Sequence, residues 1–297
     1  MQTARSDAAA DVLRFAFCLI LHFEFPMEGF EGWDDYAPFY DWENAQTLGR
    51  RDVPFWRSLA LNAGGWVLEL GCGTGRVSLP LARAGVRLVG VDRSSAMLDL
   101  SRRRIARGRL HRHLRLVQAD IRHLPFPSAP VTRRRTSRAP DSFAMVMAPY
   151  GILQSLLRES DLASTLSEIH RVLQPNGTFG LELVADLPSW EEYHKRVSLK
   201  GWRGRRGGPY ITLVETVRQD RRRRRTIFDQ EFTERRGRLA RVHRFSLAFR
   251  TLSVPQMTRR LERAGFEIAA LLGDYRGGQW DDRADVWIIL ARKPVIK

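Results

Sequence analysis

The sequence predicts a doubly wound α/β fold: a seven-stranded, mostly parallel sheet with a small antiparallel β insertion. Between residues 66 and 185, short apolar segments alternate with amphipathic helical segments in five β-α units, the rhythm of a parallel sheet with helical crossovers. The first strand stops at a glycine cluster, and the next two are each closed by an aspartate. Beyond Asp186 the period changes to strands joined by short charged turns, which predicts an antiparallel meander.

The elements follow one another in a regular order. The helices of the first half are predicted at 76–84, at 95–107 with Ser94 as the N-cap, and after a cap at Asp161. The turn at 174–177 separates that last helix from the fifth strand. The sequence predicts a final helix at 254–264. The predicted strands are 66–70, 86–91, 114–119, 143–147, 178–184, 211–217, 226–233, 241–249, 266–272 and 285–291.

Composition limits the class of protein. The 297 residues carry 49 Lys+Arg against 33 Asp+Glu, a net charge of +16, which raises the question of a nucleic-acid partner. The cysteines, Cys18 and Cys72, are too few for a disulfide framework or a four-ligand zinc site, so we predict a reducing, cytoplasmic location and no metal. No apolar run of 18 residues predicts a membrane helix. An apolar stretch at 12–25 predicts an amphipathic helix or a non-native extension before Met27.

We divide the chain into three parts. Residues 1–60 form an acidic, aromatic segment expected to act as a lid, and residues 201–250 form the inserted antiparallel cap. Residues 61–200 and 251–297 together form the main domain. The cap is a candidate surface for a homodimer; a monomer is the alternative.

Three glycines lie between the first strand and its helix, in Glu69-Leu70-Gly71-Cys72-Gly73-Thr74-Gly75. Glycines there allow a tight turn and close approach of a ligand to the backbone. A nicotinamide dinucleotide site has G-x-G-x-x-G, and its third glycine would fall at Arg76, which disfavours a dehydrogenase. Asp92 follows about 20 residues later, a spacing suited to hydrogen-bonding a ribose diol.

These segments resemble those of class I S-adenosylmethionine (SAM) methyltransferases, which have a Rossmann-like sheet. The resemblance rests on the glycine motif, on Asp92 with the run Ser94, Met97 and Leu98, on Asp120-Ile121, and on the turn at 171–178. It implies that SAM is the cofactor and that Asp92 binds its ribose and Asp120 its adenine. The cofactor-binding residues it implies are Glu69, Gly71, Cys72, Gly73, Gly75, Asp92, Arg93, Met97, Asp120, Ile121 and Ala148, with Tyr36 and Tyr40 from the lid.

Methyl transfer needs an in-line nucleophile, so positioning contributes most of the catalysis. Tyr150 follows the fourth strand at the sheet edge that faces the methyl group, and it is our first candidate for a catalytic and substrate-binding residue, with Gln154 beside it. His243 is the second catalytic candidate, against the alternative of a solvated strand residue. Methyltransferases that act on base or amide nitrogen often have [DN]-P-P-[FY] at this point, whereas this chain has Met147-Ala148-Pro149-Tyr150, without the Asn or Asp. This departure favours a small-molecule substrate, accepting the methyl group on nitrogen or oxygen.

Two alternatives stay open at this point. An RNA methyltransferase could use the arginine-rich surface, and a protein with the SAM fold could bind the cofactor without catalysis. Seven arginines between 102 and 115 and four between 133 and 138 precede strands, so we expect them on the rim opposite the site. The arginines at 221–225 are expected at a hairpin tip. Nucleic acid is therefore the disfavoured partner.

Overall fold

The fold is described by a computed structural model over residues 32–47, 49–128, 142–184, 192–204 and 208–295. The apolar stretch at 12–25 and the arginines at 133–138 lie outside these residues. Within them, no helix combines the length and apolarity needed to cross a membrane.

The main sheet has seven strands and confirms the predicted doubly wound architecture. They are β1 Val67–Leu70, β2 Leu88–Asp92, β3 Leu114–Gln118, β4 Phe143–Ala148, β5 Leu173–Val184, β10 Glu267–Leu272 and β11 Val286–Arg292. Their order across the sheet is β10-β11-β5-β4-β1-β2-β3. β1 pairs parallel with β2 and β4, and β11 lies antiparallel to β5 and β10.

Six α-helices accompany the strands in the described residues. They are α1 Trp33–Gln46, α2 Val53–Asn62, α3 Ser78–Arg83, α4 Ser95–Gly108, α5 Glu159–Val172 and α6 Val254–Arg263. The Ser94 hydroxyl accepts a hydrogen bond from the N–H of Met97, which confirms the predicted cap of α4. The cap predicted at Asp161 is wrong: α5 begins at Glu159 after Arg158, and Asp161 lies in the first turn, where a carboxylate still favours the helix dipole.

Both faces of the main sheet are covered, as a parallel sheet requires. On one face, α5 and α6 pack through Leu166, Ile169 and Met257 against Phe179 and Ile289. On the other face, Trp56 and Leu81 pack against Met145 and Met147. β1, which is apolar except for Glu69, and the apolar β4 are buried on both sides and end at the same edge.

The inserted sheet has four strands, β6 Tyr193–Trp202, β7 Tyr210–Asp220, β8 Arg225–Arg236 and β9 Leu239–Arg250. They follow one another across the sheet in chain order. The prediction of three strands missed β6, and the boundary predicted at 201 falls inside it. β6 is an edge strand with two register shifts and mostly exposed side chains, several of them basic, so it lacks the alternation that identifies a half-buried strand.

α1 packs between the two sheets and positions the site. Its aromatic side chains bury against the inserted sheet, with the rings of Phe39 and Phe232 4.6 Å apart and those of Tyr36 and Phe245 5.3 Å apart. Its acidic side chains contact the main domain: Asp34 accepts from the Ser94 hydroxyl, and Asp41 from the Thr74 hydroxyl at 2.6 Å.

Candidate active site

A cavity of about 940 Å³ lies where α1, the inserted sheet and the carboxyl ends of β1 to β4 meet. This is the edge at which open α/β sheets bind ligands. Of the residues predicted to bind cofactor or substrate, Gly75 and Ala148 do not line it. The predicted residues that do line it are Tyr36, Tyr40, Glu69, Gly71, Cys72, Gly73, Asp92, Arg93, Met97, Asp120, Ile121, Tyr150 and Gln154.

The three glycines of the turn serve two different purposes. A Cβ on Gly71 would lie 2.6 Å from Ile152, and one on Gly75 would lie 2.9 Å from Leu79, so packing requires glycine at both. A Cβ on Gly73 would come no closer than 4.0 Å to Asp92, Met97 or Tyr40. Gly73, with a φ of 52°, therefore leaves open space for a ligand beside its backbone.

Asp92 ends β2 and is held at the glycine turn. Its Oδ2 accepts from the N–H of Gly73 at 2.7 Å, and its Oδ1 accepts from the N–H of Ser94 at 2.8 Å. Burial raises the pKa of the Asp92 carboxyl, and these backbone hydrogen bonds oppose that shift. Each carboxylate oxygen keeps a further lone-pair site that a hydroxyl donor could use.

Glu69 is buried beneath the same turn, at 3% exposure. Its carboxylate accepts a hydrogen bond from the Ser78 hydroxyl. Burial raises the pKa of Glu69 to about 8, although the Ser78 hydroxyl and Arg76 act in the opposite direction. Cys72 is equally buried, and burial also raises the pKa of its thiol, so it acts as a small packing residue.

Asp120 follows β3 on the outer wall of the cavity. The Arg122 side chain donates to both of its carboxylate oxygens, at 3.1 Å or less, and this lowers the pKa of Asp120. Arg93 lies 3.9 Å from the same carboxylate. Asp120 is therefore ionised and paired, while its neighbour Ile121 lines the cavity as an apolar side chain.

Tyr150 lies at the carboxyl end of β4 with a φ of 54°, a left-handed conformation that is rare outside glycine. Its N–H donates to Oε2 of Glu182 at 3.2 Å, and the Tyr275 hydroxyl donates to Oε1 of the same carboxylate at 2.7 Å. Glu182 is 5% exposed, and burial raises its pKa. This buried carboxylate thus positions Tyr150 at the cavity.

Arg76, considered in the sequence only as a missing glycine, is part of the site. Its guanidinium lies 5.4 Å from the centre of the Tyr150 ring and forms a two-pronged ion pair with Asp52, at 2.6 and 2.8 Å. Asp52 is fully buried. The ion pair fixes the Arg76 side chain under the Tyr150 ring. A charged arginine is therefore part of the site, although composition alone would place it on the surface.

Gln154 and His243 have other surroundings than expected. The Gln154 amide donates to the carbonyls of Val184 and Arg250 and accepts from the N–H of Val184, so it joins β5 to β9. His243 does not line the cavity. Strand alternation directs it to the buried side of β9, where its ring lies 4.9 Å from Phe39.

Sequence reasoning missed the polar residues on the opposite cavity wall: Glu43 on α1, Glu215 on β7 and Gln230 on β8. They are distant in the chain, and hydrogen bonds of 3.1 and 2.9 Å from the Gln230 amide connect them. The only sign of them in the sequence is a polar residue at a position of β7 or β8 that should face the core. Strand boundaries predicted from sequence are too imprecise to identify such a position.

The comparisons with known proteins agree with this geometry. Residues 67–177 match the family model described as a methyltransferase domain. A crystal structure of a SAM-dependent methyltransferase from Clostridium acetobutylicum superposes on 88% of this chain and 99% of its own, with a TM-score of 0.70 at 14% identity. Residues 67–177 thus match a methyltransferase domain, and the chain has the fold of SAM-dependent methyltransferases. The predicted family resemblance and fold are thereby confirmed.

Other relatives resemble the methyltransferase domain over different lengths. The sugar N-methyltransferase KedS8 from Streptoalloteichus superposes over 99% of both chains, with a TM-score of 0.68 at 13% identity. A demethylmenaquinone methyltransferase of Lactobacillus johnsonii is 31% identical, over 54% of this chain and 64% of its own. A ubiquinone/menaquinone biosynthesis C-methyltransferase of Geobacter sulfurreducens is 32% identical, over 48% and 52%. The chain thus spans less than two thirds of these curated relatives.

Proposed function

We propose that the protein is a SAM-dependent methyltransferase that transfers a methyl group to nitrogen or oxygen of a small molecule. The observation that carries the proposal is Asp92: a half-buried carboxylate fixed by backbone donors of Gly73 and Ser94 at the end of β2, inside the large cavity. A carboxylate so fixed suits the two hydroxyls of a ribose, and the open space at Gly73 admits the ligand next to it.

The residues that line the cavity fit the cofactor from end to end. Asp92 would bind the ribose hydroxyls, Asp120 and Ile121 the adenine, and the turn from Glu69 to Gly73 the methionine part. When bound, SAM would supply an electrophilic methyl carbon, which a nucleophile attacks in line while the C–S bond breaks and its electrons stay on the sulfur of the departing thioether. The lid tyrosines Tyr36 and Tyr40 present aromatic rings on the other side, and aromatic faces attract cations by about 0.5–2 kcal/mol.

Tyr150 would orient the acceptor. Burial raises the pKa of its phenol, so the hydroxyl stays protonated and can donate a hydrogen bond near neutral pH. Arg76 beneath its ring and Glu182 at its backbone fix the side chain, and such fixed positioning is the main contribution that displacement chemistry needs.

The enclosure of the cavity supports a small substrate. The inserted sheet and α1 cover the edge at which Tyr150 lies, and Asp34 and Asp41 tie α1 to the main domain. A polynucleotide would have to displace this helix to reach Tyr150, whereas a small molecule needs only the cavity. None of the contacts of the described residues favours RNA as substrate.

The proposal is tested by titrating the protein with S-adenosylhomocysteine (SAH), the demethylated product, in a calorimeter. We expect Asp92→Ala to weaken SAH binding about 10- to 100-fold, since it removes hydrogen bonds to a charged acceptor. Asp99→Ala is the matched control, because Asp99 is exposed and pairs with Arg102 on α4. Failure of the unmodified protein to bind SAH, or equal binding by Asp92→Ala, would contradict the proposal.

A further inference from the structure

The cavity has a second acidic region, away from the glycine turn. Glu43 of α1 and Glu215 of β7 both line it, and Gln230 of β8 lies between them. The Gln230 amide nitrogen donates to Oε1 of Glu43 at 3.1 Å and to Oε1 of Glu215 at 2.9 Å. Both hydrogens of the amide are therefore used to hold the two carboxylates in one group, called here the acidic pair.

The acidic pair lacks the arginine partners that two other carboxylates near α1 have. Asp52 is paired with Arg76, and Asp41 with Arg104. By contrast, the remaining partners of the acidic pair among the described residues are hydroxyls. The Tyr36 hydroxyl donates to Glu43, and the Tyr193 and Ser198 hydroxyls donate to Glu215 at 2.5 and 3.0 Å.

Two buried acceptors that line the cavity lack a donor. Gln230 and Asn44 are 4% and 7% exposed, and both line the cavity. Within the described parts of the chain, neither Oε1 of Gln230 nor Oδ1 of Asn44 has a hydrogen-bond partner. A buried acceptor without a donor costs free energy. A ligand with several hydrogen-bond donors would therefore be stabilised by bonding to these two oxygens.

The acidic pair also lies between two cavities. A smaller cavity of about 280 Å³ runs beneath β6, lined by Tyr193, Arg196 and Leu199. Glu43, Thr47 and Glu215 line both this cavity and the larger one. A ligand at the acidic pair can therefore extend toward β6 while its other end faces the cofactor side.

The pair lies close to the residue proposed to orient the acceptor. The charge of Glu43 raises the pKa of the Tyr150 phenol, after the larger effect of burial. Burial and the charge of Glu215 raise the pKa of Glu43 in turn, while hydrogen bonds from Tyr36 and Gln230 lower it. Two carboxylates that repel each other in a buried site are both stabilised by a cation placed between them.

We propose that Glu43 and Glu215 bind the ammonium group of an amine substrate. An ammonium has three donors and one positive charge, which match the two carboxylates and the nearby amide oxygens of Gln230 and Asn44. A neutral alcohol lacks the charge, and a carboxylate or phosphate would be repelled. The inference rests on the proposed methyltransferase function and specifies its substrate class: small molecules that carry a basic amine.

The test compares amines with alcohols of the same shape on the full chain saturated with SAH. The probes are butylamine and butan-1-ol, benzylamine and benzyl alcohol, and 2-phenylethylamine and 2-phenylethanol, with dissociation constants measured by NMR titration. We expect each amine to bind at least about tenfold more tightly than its alcohol. Glu43→Gln and Glu215→Gln keep the shape and remove the charge, so both should lose this preference.

Glu231→Gln is the matched control. Glu231 follows Gln230 on β8, points to the other side of the sheet and pairs with Arg244 at 2.8 Å, so its variant should keep the preference for amines. SAH binding separates the two proposals. If the unmodified protein binds SAH but prefers no amine to its alcohol, or if the Glu43 and Glu215 variants keep the preference, the inference is wrong. If it does not bind SAH, the methyltransferase proposal fails instead.

Discussion

Glu182 is a buried carboxylate with a positioning role. Its carboxylate holds the backbone N–H of Tyr150 on one oxygen and the hydroxyl of Tyr275 on the other. Its own backbone carbonyl accepts from the N–H of Gly151 at 3.1 Å. The left-handed backbone at Tyr150 therefore depends on a neighbouring strand, since an isolated non-glycine residue disfavours that conformation.

Removing this carboxylate should destabilise the fold. We expect Glu182→Ala to lower the free energy of unfolding by about 1–3 kcal/mol, because it leaves the Tyr150 N–H and the Tyr275 hydroxyl without their acceptor. Urea denaturation followed by tryptophan fluorescence measures the change. Glu267→Ala, at an exposed position of β10, is the control and should stay within about 0.5 kcal/mol. If the Glu182→Ala variant were as stable as the control, Glu182 would not have this role.

Glu69 gives a prediction about pH. Its pKa rises from 4.5 in the unfolded chain to about 8 in the folded one, chiefly through burial. The folded state then binds the proton more tightly, so the contribution of Glu69 to stability is fully present below pH 4.5 and is lost as the pH rises to 8. We expect Glu69→Gln to be more stable, relative to the unmodified protein, at pH 8 than at pH 5.

Urea denaturation of both proteins at the two pH values measures this difference. Ser78 can donate equally to the amide oxygen of glutamine, so the substitution keeps the local hydrogen bond. A difference in stability that is the same at pH 5 and pH 8 would mean that Glu69 does not titrate in this range.

Residues near the motifs were predictable, and those that meet only in the folded chain were not. The spacing from the glycines to Asp92 follows from a single β-α unit, so local pattern is enough to place it. Glu43, Glu215 and Gln230 come from three elements whose pairing depends on the packing of α1 against the inserted sheet. The sequence shows the first only as one acid in an acidic segment.

At the scale of elements, α1 is held over the cavity by polar contacts with the main domain. Asp41 accepts from Thr74 and Arg104, and Arg104 also donates to the carbonyl of Thr74 at 3.0 Å. These bonds connect the middle of the helix to the glycine turn. The prediction that Arg104 lies on the rim opposite the site is therefore wrong, because it lies on the side of α4 that faces α1.

Loss of the Asp41 contacts should loosen the lid. We expect Asp41→Ala to speed amide hydrogen exchange across α1 by about tenfold or more, as the loss of one charged hydrogen-bond network costs about 1.5–3 kcal/mol. Exchange followed by mass spectrometry measures the peptides of 33–46. Asp35→Ala, exposed on the same helix, should leave exchange unchanged. Equal exchange rates in the two variants would show that Asp41 does not retain the lid.

The secondary structure was predicted well where an element is bounded by local signals. Ser94 and the glycine after α6 delimit their helices, and the apolar runs of β1 and β4 stop at turns. β5 extends further than predicted, to Leu173, because Asn176 adopts a positive φ of 60° within an irregular pairing with β4. β6 was missed because, at the edge of the sheet, most of its side chains are exposed and the apolar–polar alternation of a half-buried strand is absent.

At the scale of the whole molecule, part of the positive charge lies away from the cavity. Arg87 and Arg115 stack on Trp66 at the amino ends of their strands, the rim opposite the site. The arginines at 221–224 form the exposed turn between β7 and β8, which agrees with the predicted hairpin tip. Their exposed charges are screened by solvent and salt.

Neutralising this turn should leave the cofactor site unaffected. We expect the triple variant Arg221→Gln, Arg222→Gln and Arg223→Gln to bind SAH within about twofold of the unmodified protein, because the three side chains are exposed and solvent and salt screen exposed charges. Calorimetry at about 0.1 M salt measures this affinity, alongside Asp92→Ala as the variant that does lose it. A large loss in the triple variant would assign the turn to the site.

The two faces of α1 contact different sheets. The residues proposed to bind the cofactor are thereby separated from the cavity-lining residues of the inserted sheet. The face with Asp34 and Asp41 is committed to the main domain and its glycine turn, while Tyr36 and Phe39 pack on the inserted sheet. Side chains of β7, β8 and β9 that line the cavity can therefore be exchanged without altering the contacts of Asp92. Substitutions meant to change the preferred acceptor should therefore be made in those three strands, where α1 continues to connect the inserted sheet to the main domain.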